Sequence, residues 1–160
     1  MATPQELEAK FWKALEDDRT VMLGADGVQA RPMTALAENG QGPIWFFTAS
    51  DTVLAQVAER TAALRAVLTF ASKGHDLFAA VDGTLSVDND REVIDRLWNP
   101  FIAAWFEQGK DDPKLRLLRL DPAGGEVWEN ENSLLAGIKM LLGIDPKQSY
   151  EGKTANVDLH

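Results

Sequence analysis

Apolar residues recur along this chain in two rhythms. Between Thr3 and about Asp18 they fall at spacings of three and four: Leu7, Phe11, Ala14 and Leu15 share a face, with Trp12 flanking it. Glu8, Lys10, Lys13 and Glu16 cover the opposite side, which predicts an amphipathic helix packed on a core. Thr3 is placed as its N-cap, Pro4 in its first turn and Glu6 for a capping box. The rhythm then shortens. Thr20 to Leu23 predicts a strand, Gly24-Ala25-Asp26-Gly27 a hairpin turn, and an antiparallel partner follows. Leu64 to Ala71 and Leu77 to Val87 predict two more strands, separated by Ser72-Lys73-Gly74-His75-Asp76, with a bulge at Asp82-Gly83. Leu115 to Leu120 and Gly125 to Glu129 predict a further pair across Asp121-Pro122-Ala123-Gly124.

Helices are expected between these strands. One runs from about Asp51 to Arg60 and buries Val53, Leu54 and Val57. Another is capped by Asp88-Asn89-Asp90, with Val93, Ile94, Leu97 and Trp98 apolar; Asn99-Pro100 ends it and starts a third, whose apolar set is Phe101, Ile102, Trp105 and Phe106. Ser133 to Leu142 predicts a last helix, stopped by Gly143. A chain that keeps making hairpins with kinked strands closes a barrel. The expected fold is mainly β with flanking helices (α+β), a six- to seven-stranded antiparallel barrel. It forms a single domain over residues 1–145 with N-terminal and C-terminal helices, followed by a polar surface tail at 146–160.

The stretch Gln29 to Ser50 organises the candidate chemistry. It reads as two strands joined by Glu38-Asn39-Gly40-Gln41-Gly42, with Pro32 in mid-strand. Proline cannot donate to a ladder, so one side of that strand is an edge, a bulge or a surface facing something other than a neighbour. Beside it Arg31 offers a planar cation and Met33 an adaptable apolar surface; Trp45-Phe46-Phe47-Thr48 ends the second strand, with Ser50 and Thr52 beyond. Together they suit a flat aromatic ligand carrying a phosphate. The alternative is a core hairpin whose proline marks a sheet edge.

Composition narrows the choices. The net charge is −9, with 25 acidic and 16 basic residues spread along the chain, so no basic stripe exists for nucleic acid. No apolar run is long enough for a membrane span, and the Met-Ala-Thr-Pro start does not read as a secretory signal, which makes the cytoplasm the expected location. Without cysteine there are no disulfides or thiolate sites, and with only His75 and His160 there is little material for a metal centre or a triad. His75 reads as a turn residue. Phosphate-binding glycine loops and a nucleophile elbow are missing, so any reaction would be brought by a cofactor. Five tryptophans remain to be placed. Trp98 and Trp105, with Phe101 and Phe106, belong either to a helix-on-barrel core or to a homodimer interface.

The run Gly83-Thr84-Leu85, Leu97-Trp98-Asn99-Pro100, Ala104-Trp105-Phe106, Gly109-Lys110-Asp111-Asp112-Pro113, Leu117-Leu118-Arg119-Leu120 and Trp128 resembles the bacterial general stress proteins of the pyridoxamine phosphate oxidase-like, FMN-binding split-barrel superfamily. Arg31-Pro32-Met33 and Trp45-Phe46-Phe47-Thr48 match that family's two cofactor-side strands. The resemblance implies a dimerising split barrel with FMN, or alternatively FAD, in a cleft between subunits. Arg31 to Thr34 would run along the isoalloxazine, with Arg31 at its polar edge; Phe47 to Thr52, including Thr48 and Ser50, would approach the phosphate, and Trp128 would lie near the flavin.

Two departures qualify what is carried over. Related barrels place Lys or Arg in the first turn of the helix after the Trp-Phe-Phe-Thr strand, where this chain has Thr52-Val53-Leu54-Ala55. Arg31, Lys73 or a partner-subunit cation are the available substitutes. The Arg-rich C-terminal segment of true pyridoxamine phosphate oxidases is replaced by Glu129-Asn130-Glu131-Asn132, which argues against that reaction. Two functions stay open: a flavin-dependent oxidoreductase of unnamed substrate, and a non-enzymatic module that stores or senses flavin or has lost it. A haem variant would lack an axial histidine.

Overall fold

The computed structural model describes residues 3–129 and 154–160. Its strands are β1 (Thr20–Ala25), β2 (Val28–Thr34), β3 (Leu36–Glu38), β4 (Gln41–Ala49), β5 (Leu64–Ala71), β6 (Leu77–Val87), β7 (Leu115–Glu129) and β8 (Thr154–Asp158). The helices are α1 (Pro4–Asp17), α2 (Val53–Arg60), α3 (Arg91–Leu97) and α4 (Pro100–Ala103). The strands form one antiparallel sheet in the order β2-β1-β5-β6-β7-β4-β3, with β8 added on β7. β2 and β3 are the two ends of that path, yet only Ala35 separates them in sequence. One bent run therefore serves both ends and curls the sheet into a barrel. Counted as one strand, it brings the total among the described residues to seven, within the six to seven expected.

Burial follows from this curl. β5 and β6 alternate, with Leu64, Ala66, Leu68 and Phe70 inside beside Ala79, Val81 and Leu85. Neighbouring residues of β4 and β7 are buried on both faces, which explains their unbroken apolar runs. Ile44, Phe46, Leu118 and Leu120 join the barrel core. Trp45, Leu115 and Leu117 point outward and are covered, with Leu36, by Val93, Ile94 and Phe106 in a second core. Leu7, Phe11, Trp12 and Leu15 of α1 complete the barrel core.

Several expectations need correction. Leu115 to Glu129 is one strand, because each of its edges is occupied along most of its length: β6 on one side, and on the other β4 at 115–120, then β8 at 124–128. Pro122 is accommodated at a bulge, where Asp82 pairs with Gly124 and Gly83 with Pro122, so Ala123 is the extra residue. That bulge includes the expected Asp82-Gly83 step. The 146–160 tail is not simply polar surface, since β8 pairs with β7 and buries Val157 and Leu159. α2 buries Leu54, Ala55 and Ala58, whereas Val53 is exposed. The helix expected at Ser133 to Leu142 lies outside the described residues. Among the described residues no helix is long and apolar enough to cross a membrane.

Candidate functional site

The bend at Ala35 opens the barrel. β2 pairs with β1 (Leu23 opposite Arg31, Met22 opposite Pro32), while β3 pairs with β4 through Leu36 and Trp45. Beyond Trp45, Phe47 to Ala49 have β7 on one side and no strand on the other among the described residues. Arg31 to Thr34 likewise form a free edge, as Pro32 predicts. The two edges diverge from Ala35 and enclose a cleft of about 720 Å³, within the range of small-molecule sites. Thr52, the N-cap of α2, and the aromatic segment at α4 complete its walls.

Arg31, Pro32, Met33, Thr34, Phe47, Thr48 and Thr52 all line this cleft, so the structure brings together most residues singled out in the sequence. Two others lie elsewhere in the chain. Ser50 donates its backbone N–H to the Lys114 carbonyl at 2.7 Å, and Trp128 stands on β7 opposite Phe78. Lys73, in the β5–β6 turn, does not line the cleft either.

The hydroxyls beside α2 are already engaged. Thr52 Oγ1 donates to the Ala49 carbonyl (2.9 Å) and accepts from the Ala55 amide (3.2 Å). A hydroxyl has one hydrogen, so Thr48 must be the donor in the 3.2 Å Thr48–Thr52 contact. Thr52 therefore caps the helix and holds Thr48, leaving no proton of its own for an anion. The amides of Thr52, Ala55 and Gln56 are bonded to Ala49, the Thr52 side chain and the Thr52 carbonyl. Those of Val53 and Leu54 keep their N–H groups without a partner among the described residues, so the positive end of α2 resides on backbone.

Charge is segregated in the same place. The lining contains Arg19 and Arg31 and no aspartate or glutamate. Neither guanidinium has an ion-pair or hydrogen-bond partner among the described residues, although the chain is strongly acidic. By contrast, Arg96 forks onto Glu38 and Arg119 bonds Asp121 while lying over the Trp45 ring. Arg19 escaped the sequence reading because nothing in the periodicity marks it; only the fold brings it beside Ala35, whose amide donates to its carbonyl at 2.8 Å. For the segment around α4 the sequence predicts an apolar set. Phe106 is buried and packs with Trp98, but Phe101 and Trp105 are each 84% exposed at the cleft. Phe101 stands on α4, a single turn capped by Asn99 at the Ile102 amide, and Trp105 follows just past its end.

Residues 6–151 match the family described as pyridoxamine 5'-phosphate oxidase like. A general stress family protein from Xanthomonas campestris pv. campestris is 55% identical, covering 82% of this chain and 92% of its own, with a TM-score of 0.76. The general stress FMN/FAD binding protein from Xanthomonas citri is 53% identical over 80% of this chain and 92% of its own, with a TM-score of 0.74. General stress protein 26 from Jannaschia sp. CCS1 is 33% identical over 98% and 99% of the two chains, with a TM-score of 0.82. General stress protein 26 of Bacillus subtilis (strain 168) is 30% identical over 76 residues, and the match spans about half of each chain (47% and 54%). Near-complete correspondence with relatives of one description, on one split barrel, makes this chain a member of the General stress protein 26 family within the pyridoxamine 5'-phosphate oxidase-like superfamily.

Proposed function

We propose that the chain binds a flavin, FMN in preference to FAD, in the cleft between β2 and β4, and that it does so as a homodimer. The observation that carries this reading is the cleft itself: apolar and aromatic walls, two guanidiniums without partners among the described residues, no carboxylate in its lining, and, just past its Thr52 wall, free amides at the start of α2. These features fit a flat ring ending in a dianion. The description of the Xanthomonas citri relative as FMN/FAD binding supports the same reading. A bound flavin would supply electron and hydride transfer. The chain's own part is to hold and shield it, with Met33 and Phe47 against the ring and the phosphate toward the Val53 and Leu54 amides. Arg31 is the cation for that phosphate, in place of a basic residue on α2, where Leu54 is buried in the core. A second copy would cover Met22, Val67 and part of the aromatic surface, which are exposed in one protomer.

The visible absorption spectrum of purified protein, heat release of any chromophore, and titration with FMN, FAD and riboflavin test the proposal. Arg31→Ala is expected to weaken FMN by about ten- to a hundredfold, the value of a charge-assisted contact, and riboflavin much less. A colourless protein that ignores all three ligands would refute it. Sedimentation equilibrium should give a two-chain mass, reduced by Met22→Asp.

A second reading has one observation behind it. The first turn of α2 is wholly uncharged, which fits a barrel that stores or senses flavin rather than turning it over. Reduction of the loaded protein by NADH or NADPH, followed by reoxidation, would decide for the oxidoreductase; a flavin inert to both donors would decide for the store.

A further inference from the structure

The turn between β3 and β4 brings together the parts of a reaction that needs no cofactor. Glu38 pairs with Gln41, so Asn39 and Gly40 alone make the connection. Asn39 has φ 58° and Gly40 φ 63°, the left-handed pair that a two-residue Asn-Gly hairpin requires. Both residues are exposed. Asn39 is also the one asparagine of the sequence that precedes a glycine. The backbone nitrogen after an asparagine can attack its side-chain carbonyl, and glycine sets no side chain in the way. Other asparagines are committed: Asn89 Oδ1 accepts from the Leu117 amide at 2.7 Å and Asn99 Oδ1 from the Ile102 amide at 2.9 Å. The Asn39 side chain has no hydrogen-bond partner among the described residues. One contact restrains the attacking atom. Gly40 donates its N–H to Oε1 of Glu16, in the last turn of α1, at 3.1 Å. The nitrogen attacks only after losing that proton, and a carboxylate already accepting it opposes a second negative charge there. The nearer carboxylate in sequence, Glu38, is turned instead to the Arg96 fork.

We propose that Asn39 is a site of spontaneous covalent modification in the folded protein and that Glu16 sets its rate. The Gly40 nitrogen gives its proton to solvent and bonds to Asn39 Cγ. The Cγ–Nδ2 bond breaks, and the leaving nitrogen takes a proton from solvent and departs as ammonia, which leaves a cyclic imide. Water then opens the imide at either carbonyl, giving aspartate or isoaspartate; in balance one water is consumed and one ammonia released. Both products add a carboxylate to a turn that already holds Glu38 and faces Glu16. Isoaspartate also inserts a methylene into the backbone of a connection that Glu38 and Gln41 close tightly. The turn stands at the end of β4 away from the cleft-lining Phe47, Thr48 and Ala49, so the proposal is independent of the flavin reading.

The test is timed incubation of the folded full-length chain in mildly alkaline buffer, followed by peptide mass mapping, with chromatographic separation of the aspartate and isoaspartate forms. The peptides carrying Asn89 and Asn99 are the internal controls. Wild-type protein should gain the deamidation mass at Asn39 ahead of both controls, as a mixture of the two products. Glu16→Gln can still accept the Gly40 proton but has no charge; it should speed conversion about fivefold, the rate factor of one unit charge about 4 Å away in water. Glu16→Ala, which removes the acceptor as well, should be at least as fast, and Glu16→Asp should return part of the protection. In urea the variants should convert at one rate, because the contact with α1 is gone. The proposal is overturned if folded wild-type protein converts at Asn39 no faster than at Asn89 and Asn99, or if Glu16→Gln leaves the rate unchanged or lowers it. Acceleration of all three sites together by Glu16→Gln would also overturn it, since that would report loosening of the fold rather than release of the Gly40 amide.

Discussion

At the scale of single residues, the fold depends on places where side chains are absent or fully committed. Gly83 lies against the β7 bulge: an added Cβ would stand 2.4 Å from the Asp121 carbonyl oxygen and 3.0 Å from the Pro122 Cα. Both are backbone atoms of a paired strand and cannot swing aside. Gly83→Ala should therefore cost about 1–3 kcal/mol, as overpacking does, and lower Tm by roughly 2–12 °C. Gly74→Ala is the control, because its nearest neighbour is the Asp76 carboxylate at 3.7 Å. Equal melting of the two variants would mean that the bulge is not packed as described. Thr52 is committed in another way, since its one hydroxyl both caps α2 and holds Thr48. Thr52→Ala should lose about 0.5–2 kcal/mol of stability, and Thr52→Ser should restore it. If the hydroxyl instead donated to a phosphate, Thr52→Ala would weaken FMN far more than riboflavin in equilibrium titrations.

At the scale of elements, what could be read from the sequence was whatever depends on neighbours in the chain. The bounds of β5 and β6, the Asp82-Gly83 irregularity, the caps at Thr3, Asp90 and Asn99 and the edge at Pro32 all follow from local chemistry. What could not be read was set by distant partners. Leu115 to Glu129 looks broken at Pro122 because a proline usually interrupts a ladder, and only the glycine opposite it on β6 lets the strand continue. Phe101 and Phe106 are alike in sequence, yet one faces the cleft and the other the second core. The turn leading into β7 adds a pH-dependent element. The carboxylate of Asp112 accepts from the Lys114 amide at 2.9 Å and the Gln108 amide at 3.2 Å, and these two bonds lower its pKa. A depressed folded-state pKa stabilises the turn above the ordinary aspartate range, and that contribution is lost as pH falls through the lowered value. In carboxyl-detected NMR titrations Asp112 should titrate below the ordinary aspartate value near 3.9, and exchange of the Lys114 amide should accelerate in step. A normal titration would remove Asp112 as the clasp of this turn.

At the scale of the whole molecule, the same bend that closes the barrel creates the cleft, so stability and binding share a cause. The run 28–38 leaves β1 to join β4, and the gap it leaves between β2 and β4 is the site. Closure on the opposite side relies on β8. β7 offers one edge to β4 as far as Leu120, then to β8 from Gly124 to Trp128. Without β8 that second half would lose its partner on this side among the described residues and be an edge open to association with other chains. Val157 and Leu159 would also leave the barrel core, which they enter beside α1. Burying such side chains contributes about 1.5–3 kcal/mol each, against a typical total of about 5–15 kcal/mol. A chain ending at residue 153 should therefore unfold at a much lower urea concentration and scatter light on concentration, while its β2–β4 cleft, built from other strands, keeps its residues. Adding the peptide 154–160 in trans should reduce the scattering if the exposed β7 edge is its cause. An unchanged urea midpoint for the shortened chain would show instead that β6 and β4 alone hold β7 in place.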